Sequence, residues 1–227
     1  MEIIDFEIGV YAEILELQQK IFENLITGKK EGKKEEEKIL LGEHPPVITL
    51  GRRANKSNVL LSEINLNKIG ISLFHIGRGG DVTYHCPGQL IVYPIIDLER
   101  HGLGVKEYVN ILEEAVIQLL LKYDIHGERV EGATGVWIDK GKSSERKICA
   151  MGIKCSRFCT MHGLALNVNS DLSGFSMINP CGFQDKGVTS MQKESGKEYD
   201  MKKIKEDFLN IFMSLIFPFQ EGLNLFK

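Results

Sequence analysis

From Tyr11 onward, apolar side chains recur at Tyr11, Ile14, Leu15, Phe22, Leu25 and Ile26. That spacing of three and four lays one stripe along a helix of about four turns. Gly28 is expected to end it. Residues 39–41 and 47–50 read as strands around the Pro45-Pro46 turn, and 71–76 as another, while 59–68 fits neither period. The apolar run 89–98 carries Pro94, which assigns it to a sheet edge or to a bulge. A second long helix follows from Tyr108, Leu112, Ala115, Leu119 and Tyr123, and should pack on a sheet. Three β-rich pieces come next, at 135–138, 147–154 and 159–168, with Gly141, Lys142, Ser143 and Ser144 turning between the first two. Asp200 suits the N-cap of a last helix with Met201, Ile204, Phe208, Ile211 and Leu215 on one face, stopped by Pro218. A helix at each end with strands between predicts an α/β (α+β) fold, a mixed β-sheet flanked by helices. No repeat or linker divides residues 1–227, which read as one domain.

Composition narrows the classes. The 227 residues are 43% hydrophobic and 26% charged, with 23 glycines and 6 prolines, the balance of a globular chain. No run approaches the roughly 18 apolar residues of a spanning helix. The acidic start, Met-Glu-Ile-Ile-Asp-Phe-Glu, lacks the basic and apolar regions of a secretory leader, so the cytoplasm is the expected compartment. Five cysteines make no disulfide framework in a chain this long. A net charge of -3 gives no general attraction to nucleic acid or membrane, so a polyanionic partner needs a local patch. The mixed-sign run 29–38 reads as a solvated connection.

The cluster Gly77-Arg78-Gly79-Gly80-Asp81-Val82-Thr83-Tyr84-His85 follows an expected strand, yet the third glycine of a dinucleotide fingerprint would fall at Val82, and no helix opens after it. A phosphate loop of the G-x-x-x-x-G-K-[ST] type is absent from the sequence. The glycines can bring backbone close to a ligand, with Arg78 as a fork of donors beside them, or they can simply turn the chain between strands. Among the cysteines, Cys149, Cys155 and Cys159 fall in or beside strands, where cysteine packs as a small hydrophobe. Cys181 differs, because Asn179-Pro180-Cys181-Gly182 holds it on a tight turn, the presentation a nucleophile needs. An isolated thiol of pKa about 8.5 is only about 3% thiolate at pH 7, so a nearby cation must assist, and Lys147 and Lys154 are the candidates able to exchange protons. Cys155, Cys159 and His162, with His85 and Cys86, match zinc-ligand spacing poorly, and no metal site is assigned.

Several segments taken together are specific. Glu43-His44-Pro45-Pro46-Val47, Arg78-Gly79-Gly80-Asp81-Val82-Thr83-Tyr84-His85-Cys86-Pro87-Gly88-Gln89-Leu90, Tyr93-Pro94-Ile95 and Gly135-Val136-Trp137 come in order. Lys147-Ile148-Cys149-Ala150-Met151-Gly152-Ile153, Met161 to Asn169, Asn179-Pro180-Cys181-Gly182 and Gly187-Val188-Thr189-Ser190 follow them. The set resembles the octanoyl-acyl-carrier-protein:protein N-octanoyltransferases, the lipoyl(octanoyl) transferase family of lipoate biosynthesis. The resemblance implies the fold of the biotin and lipoate protein ligase catalytic domain and a reaction with no ATP or other cofactor. It implies that Cys181 carries the acyl group as a thioester and that Lys147 tunes the thiol and handles protons. It further implies that Arg78, Gly79, Gly80, Asp81, Val82, Thr83, Tyr84 and His85, with Ala150, Met151, Gly152, Gly163, Leu164 and Ala165, bind the acyl substrate. The implied donor is octanoyl-acyl-carrier protein. The implied acceptors are lipoyl domains of 2-oxoacid dehydrogenase E2 subunits and the glycine cleavage H protein.

Thioester exchange conserves the acyl bond energy, in keeping with the missing phosphate loop. Backbone N–H groups near Gly79, Gly80 or Gly163 are candidates for an oxyanion site. Cys86 and Cys149 stand where the family commonly has glycine and alanine, and are expected to put extra thiols near the site, with oxidation then forming a bond to Cys181. Arg52, Arg53 and Lys56 form a compact basic group suited to an acidic carrier. Two other readings compete: an ATP-dependent lipoate-protein ligase of the same fold, and a binding module without catalysis.

Overall fold

The structure, a computed structural model, describes residues 1–179 and 187–217. In chain order its elements are β1 (Glu2–Ile8), α1 (Tyr11–Lys30), β2 (Lys38–Glu43), β3 (Val47–Leu50), α2 (Glu63–Lys68), β4 (Ser72–His75), β5 (Val82–His85) and β6 (Gln89–Ile95). They continue with α3 (Val105–Lys122), β7 (Glu128–Val130), β8 (Ala133–Ile138), β9 (Arg146–Ser156), β10 (Cys159–Asn167), β11 (Gly187–Val188), α4 (Met191–Ser195) and α5 (Met201–Ile216). The large mixed sheet runs β1-β2-β6-β10-β9-β8-β7, with β11 paired to β9, and a smaller sheet runs β4-β3-β5.

Alternation along the central strands divides the core in two. Ile39, Leu41, Leu90, Val92, Leu164 and Leu166 face α3 and α5, whose Tyr108, Leu112, Leu119, Phe208 and Phe212 are fully buried against them. Leu40, Ile91, Tyr93, Met161 and Ala165 face the opposite way, onto Ile14, Ile21, Phe22 and Leu25 of α1. One strand period thus feeds two helical layers. Truncating a leucine such as Leu112 to alanine is expected to cost about 2–5 kcal/mol. Asp200 caps α5, its Oδ1 accepting from the Lys202 N–H at 2.9 Å.

Four sequence expectations change. The chain opens on a strand, not a helix: β1 pairs parallel with β2, and its charged Glu2, Asp5 and Glu7 disguise a half-buried edge strand. Helix α1 continues past Gly28 to Lys30, because that glycine lets the Glu35 side chain pack within 2.3 Å of where a Cβ would stand. Strand β6 lies inside the sheet between β2 and β10 despite Pro94. Its pairing to β10 runs from Gln89 to Val92 and stops before the proline, whose carbonyl accepts from Thr160 Oγ1 at 2.9 Å, so the missing N–H is not asked for there. Residues 59–68, ambiguous in sequence, contain α2, with Ser62 Oγ accepting from the Asn65 N–H at 3.3 Å.

Candidate active site

A cavity of about 510 Å³ lies on the α1 side of β9 and β10, roofed by the 77–80 loop and the small sheet. Glycine packing seats that loop. Gly79 N–H donates to Ile153 O at 2.8 Å, and a Cβ on Gly152 would come within 2.7 Å of Gly79 O. Arg78, only 8% exposed, donates from Nη2 to Thr49 O at 2.8 Å and Thr49 Oγ1 at 3.0 Å, and from Nη1 to Gly79 O at 3.0 Å. The guanidinium is therefore a fixed positive wall. Because its N–H is committed to Ile153, Gly79 is unsuited to hold an oxyanion.

Lys147 reaches the cavity through an irregularity. Val136 pairs with Cys149, but Trp137 pairs with Lys147, so β9 carries one extra residue, Ile148, opposite β8. Ile148 and Cys149, although adjacent, both enter the α3/α5 core. Lys147 is thereby turned to the other face, where its Nζ lies 4.5 Å over the Trp137 ring and donates to Thr134 O at 3.2 Å. The Thr134 carbonyl is fixed from behind, because buried Glu113 of α3 accepts from the next residue's N–H, Gly135, at 2.9 Å. Gly135 itself has φ 120°, and a Cβ there would stand 2.4 Å from Cys149 O. Beyond the end of β10, β11 takes its place: Gly187 and Val188 pair with Arg146 and Lys147, and Thr189 N–H donates to Lys147 O at 2.9 Å.

The opposite end is built of rings. Tyr11 stacks on His85 with centroids 6.1 Å apart, His44 meets His85 edge-on at 6.0 Å, and Tyr93 meets His162 edge-on at 6.4 Å. His44 Nδ1–H donates to Gly9 O at 2.7 Å, while its Nε2 accepts from the Tyr93 hydroxyl at 3.0 Å. Burial keeps all three imidazoles neutral. It lowers His44 to about 4 against the opposing Gly9 bond. It lowers His85 to about 3, with His44 and Arg78 adding to the effect, and His162 to about 3, with Arg78 and Lys154 adding. A relay of hydrogen bonds runs outward from His85 through Gln89 (2.7 Å) and Asn167 (2.8 Å) to Thr189 O (2.9 Å). The ring end and the Lys147 end therefore share a brace.

Of the residues singled out in sequence, Arg78, Gly79, Gly80, Asp81, Val82, Thr83 and His85 line this cavity. So do Ala150, Met151, Gly152, Gly163, Leu164, Ala165 and Lys147. Tyr84 does not, because on β5 it points away from His85 and packs edge-on against Phe175 at 5.5 Å. Cys181 lies outside the described residues. Lys154, the other candidate amine, sits with its Nζ 4.9 Å over Phe22 and does not line the cavity. Neither extra thiol faces the cavity: Cys149 is sealed in the α3/α5 core, and Cys86 in the cluster under the small sheet, where burial pushes it up to about 11. The register puts Cys155 in the α3/α5 core and Cys159 in the α1 core, on opposite faces, so they cannot converge on one metal ion. Arg53 stands exposed at the cavity mouth, whereas Arg52 and Lys56 are outside the lining. Tyr93 and His162 lie in segments that carry the resemblance but have no role assigned there, His162 being weighed otherwise only as a metal ligand; Tyr11 reads only as part of the α1 stripe, and Glu113 carries no local signal.

The model of the lipoyl protein ligase A/B catalytic domain matches residues 10–213. An octanoyltransferase of Parabacteroides distasonis is 52% identical over 206 residues, covering 90% of this chain and 93% of the relative. One of Desulforamulus reducens is 44% identical over 211 residues, covering 92% and 88%. Among solved structures, lipoate-protein ligase A bound with ATP superposes with a TM-score of 0.67 at 14% identity, covering 95% of this chain and 86% of that one. At that identity the likeness concerns the fold. It agrees with the mixed sheet flanked by helices expected from sequence.

Proposed function

Since the chain belongs to the lipoyl protein ligase A/B catalytic domain family, we propose that it is an octanoyltransferase of lipoate biosynthesis, moving an eight-carbon acyl group onto a lysine of a lipoyl domain. The observation that carries this reading is the identity of about half, over nine-tenths of both chains, to proteins named for that transfer. The cavity supports it: a floor of Ala150, Gly152, Gly163 and Ala165 suits an unbranched chain, and an amine waits at one end.

In this reading octanoyl-acyl-carrier protein is the donor. The Cys181 thiolate attacks the donor carbonyl, a new C–S bond forms, and the carrier thiol leaves with the proton taken from Cys181. An acceptor lysine then attacks the new thioester, the C–S bond breaks, and Cys181 is released as thiolate. That lysine must first lose a proton, since its ordinary pKa is about 10.4. Lys147 receives or relays it. Support for the pairing comes from β11, which lies beside Lys147 and begins six residues after Cys181 in the sequence. Lipoyl domains of 2-oxoacid dehydrogenase E2 subunits and the glycine cleavage H protein are the acceptors, and the cytoplasm is the compartment. No ATP enters, because the acyl group is already activated.

The test mixes the protein with octanoyl-acyl-carrier protein and a lipoyl domain without nucleotide. A gain of one octanoyl mass on the lipoyl domain is expected. Modification only from free acid with ATP would transfer the assignment to a ligase, and none under either condition to a binding module.

A further inference from the structure

The floor of the cavity has a definite length. Gly163 pairs with Gly152 and Ala165 with Ala150 across β10 and β9, so these four positions of one sheet face carry nothing larger than a methyl group, while Leu164 and Met151 between them pack with the α3/α5 core. Each end of that floor is closed by a residue delivered through a break in strand regularity. At one end the extra residue Ile148 turns Lys147 inward. At the other, His162 adopts a left-handed φ of 60°, which breaks the alternation of β10 and sets its ring edge-on to Tyr93.

The far wall is braced from behind. Gln18 of α1 accepts from the His162 N–H at 3.1 Å, and the Tyr93 hydroxyl is held by His44, itself held by Gly9. His162 is 3% exposed, Tyr93 5% and Tyr11 4%, so they form a filled, rigid barrier.

His162 stands opposite Ile153, six positions from Lys147, and with the bulged Ile148 adding no regular step the run is five steps, about 16 Å of strand at about 3.3 Å per residue. Seven C–C bonds of about 1.52 Å, in zigzag, reach about 9 Å. One contact of about 3.5 Å at either end completes the span. We propose that His162, backed by Tyr93, is the chain-length stop of the acyl channel that begins at Lys147. The inference rests on the reading that this cavity receives the acyl chain. Each methylene beyond eight carbons must displace the wall, which should discriminate by about ten- to two-hundredfold.

The test compares transfer from hexanoyl-, octanoyl-, decanoyl- and dodecanoyl-acyl-carrier protein by wild type and by His162→Gly. Glycine adopts the left-handed backbone without strain, and His162→Asn, which tolerates it, serves as a second variant if the first is unstable by thermal melt. Wild type should prefer octanoyl to decanoyl at least about tenfold, and His162→Gly should raise the decanoyl-to-octanoyl ratio by a similar factor. An unchanged ratio in a folded variant that still transfers octanoyl overturns the stop while leaving the transferase reading intact. Should a folded variant transfer nothing, calorimetry with free fatty acids decides. The longest tightly bound acid grows by two or more carbons if His162 is the stop, and stays the same if it is not. Wild type that transfers no acyl group of any length would remove the premise and the stop together.

Discussion

The two ends of the cavity are opposites in chemistry although the same pair of strands builds both. At one end the Lys147 amine lies over an indole ring, with its partner carbonyl fixed by Glu113. At the other, three histidines sit among tyrosines, buried deeply enough that none is charged near neutral pH. In the proposed transfer the amine end is where charge moves, and the ring end is where it does not. Between them the floor positions Ala150, Gly152, Gly163 and Ala165 carry no side chain beyond a methyl group, while Arg78 of the 77–80 loop stands on the wall. The contrast teaches that two of the sheet's irregularities, the bulge at Ile148 and the left-handed His162, fall at the two places where a side chain has to face the cavity.

The largest effect should come from removing the amine. Lys147→Met keeps the stem over Trp137 but cannot exchange a proton, and octanoyl transfer should fall about 10²- to 10⁴-fold while the preference among chain lengths stays as in wild type. A loss below fivefold in steady-state rates would mean the two ends do not divide the labour as described. Bridging them tests the floor itself. A Cβ on Gly163 would come 2.2 Å from Val92 O, so Gly163→Ala should cost about 3 kcal/mol in urea unfolding and depress transfer with every donor. Wild-type stability in that variant would show the close approach to be wrong.

Acid should attack the ring end first. The folded values of about 3 to 4 for His44, His85 and His162 lie below the ordinary 6.5, so the unfolded chain takes up these protons before the folded one does. Their stabilisation is complete above about pH 6.5 and drains as the pH falls toward 4 and 3, by about 1.4 kcal/mol per pH unit for each ring. Urea titrations from pH 7.5 to 5 should show it, with a shallower slope in His162→Gly. A flat profile would contradict neutral burial. The smallest effect belongs to the mouth: Arg53→Glu should slow transfer from an acidic carrier a few-fold at low salt and little at high salt, the size expected of an exposed charge. Equal rates at all salt concentrations would retire that contact.

Much of this was readable in the chain. The 3.6-residue periodicity marked α1, α3 and α5, and the family resemblance carried by the motifs from Arg78 to Leu90, from Lys147 to Ile153 and from Met161 to Asn169 marked the residues that line the cavity. What stayed hidden depends on tertiary pairing. Nothing in Lys147-Ile148-Cys149 announces that Ile148 is the extra residue of a bulge, so a strict alternation would have sent Lys147 and Cys149 to the same face. The tight turn between β9 and β10 uses Arg157 and Phe158, both with positive φ, where asparagine and glycine would have signalled it. His162 likewise owes its direction to a backbone angle that its side chain does not advertise.

The proposed transfer requires a covalent acyl group on Cys181. The direct measurement is peptide mapping by mass after brief mixing with octanoyl-acyl-carrier protein in the absence of acceptor. One octanoyl group should appear on the peptide containing Cys181, vanish in Cys181→Ser, and form far more slowly in Lys147→Met. Octanoylation of the lipoyl domain at full rate by Cys181→Ser, with no acylated peptide in the wild type, would contradict it.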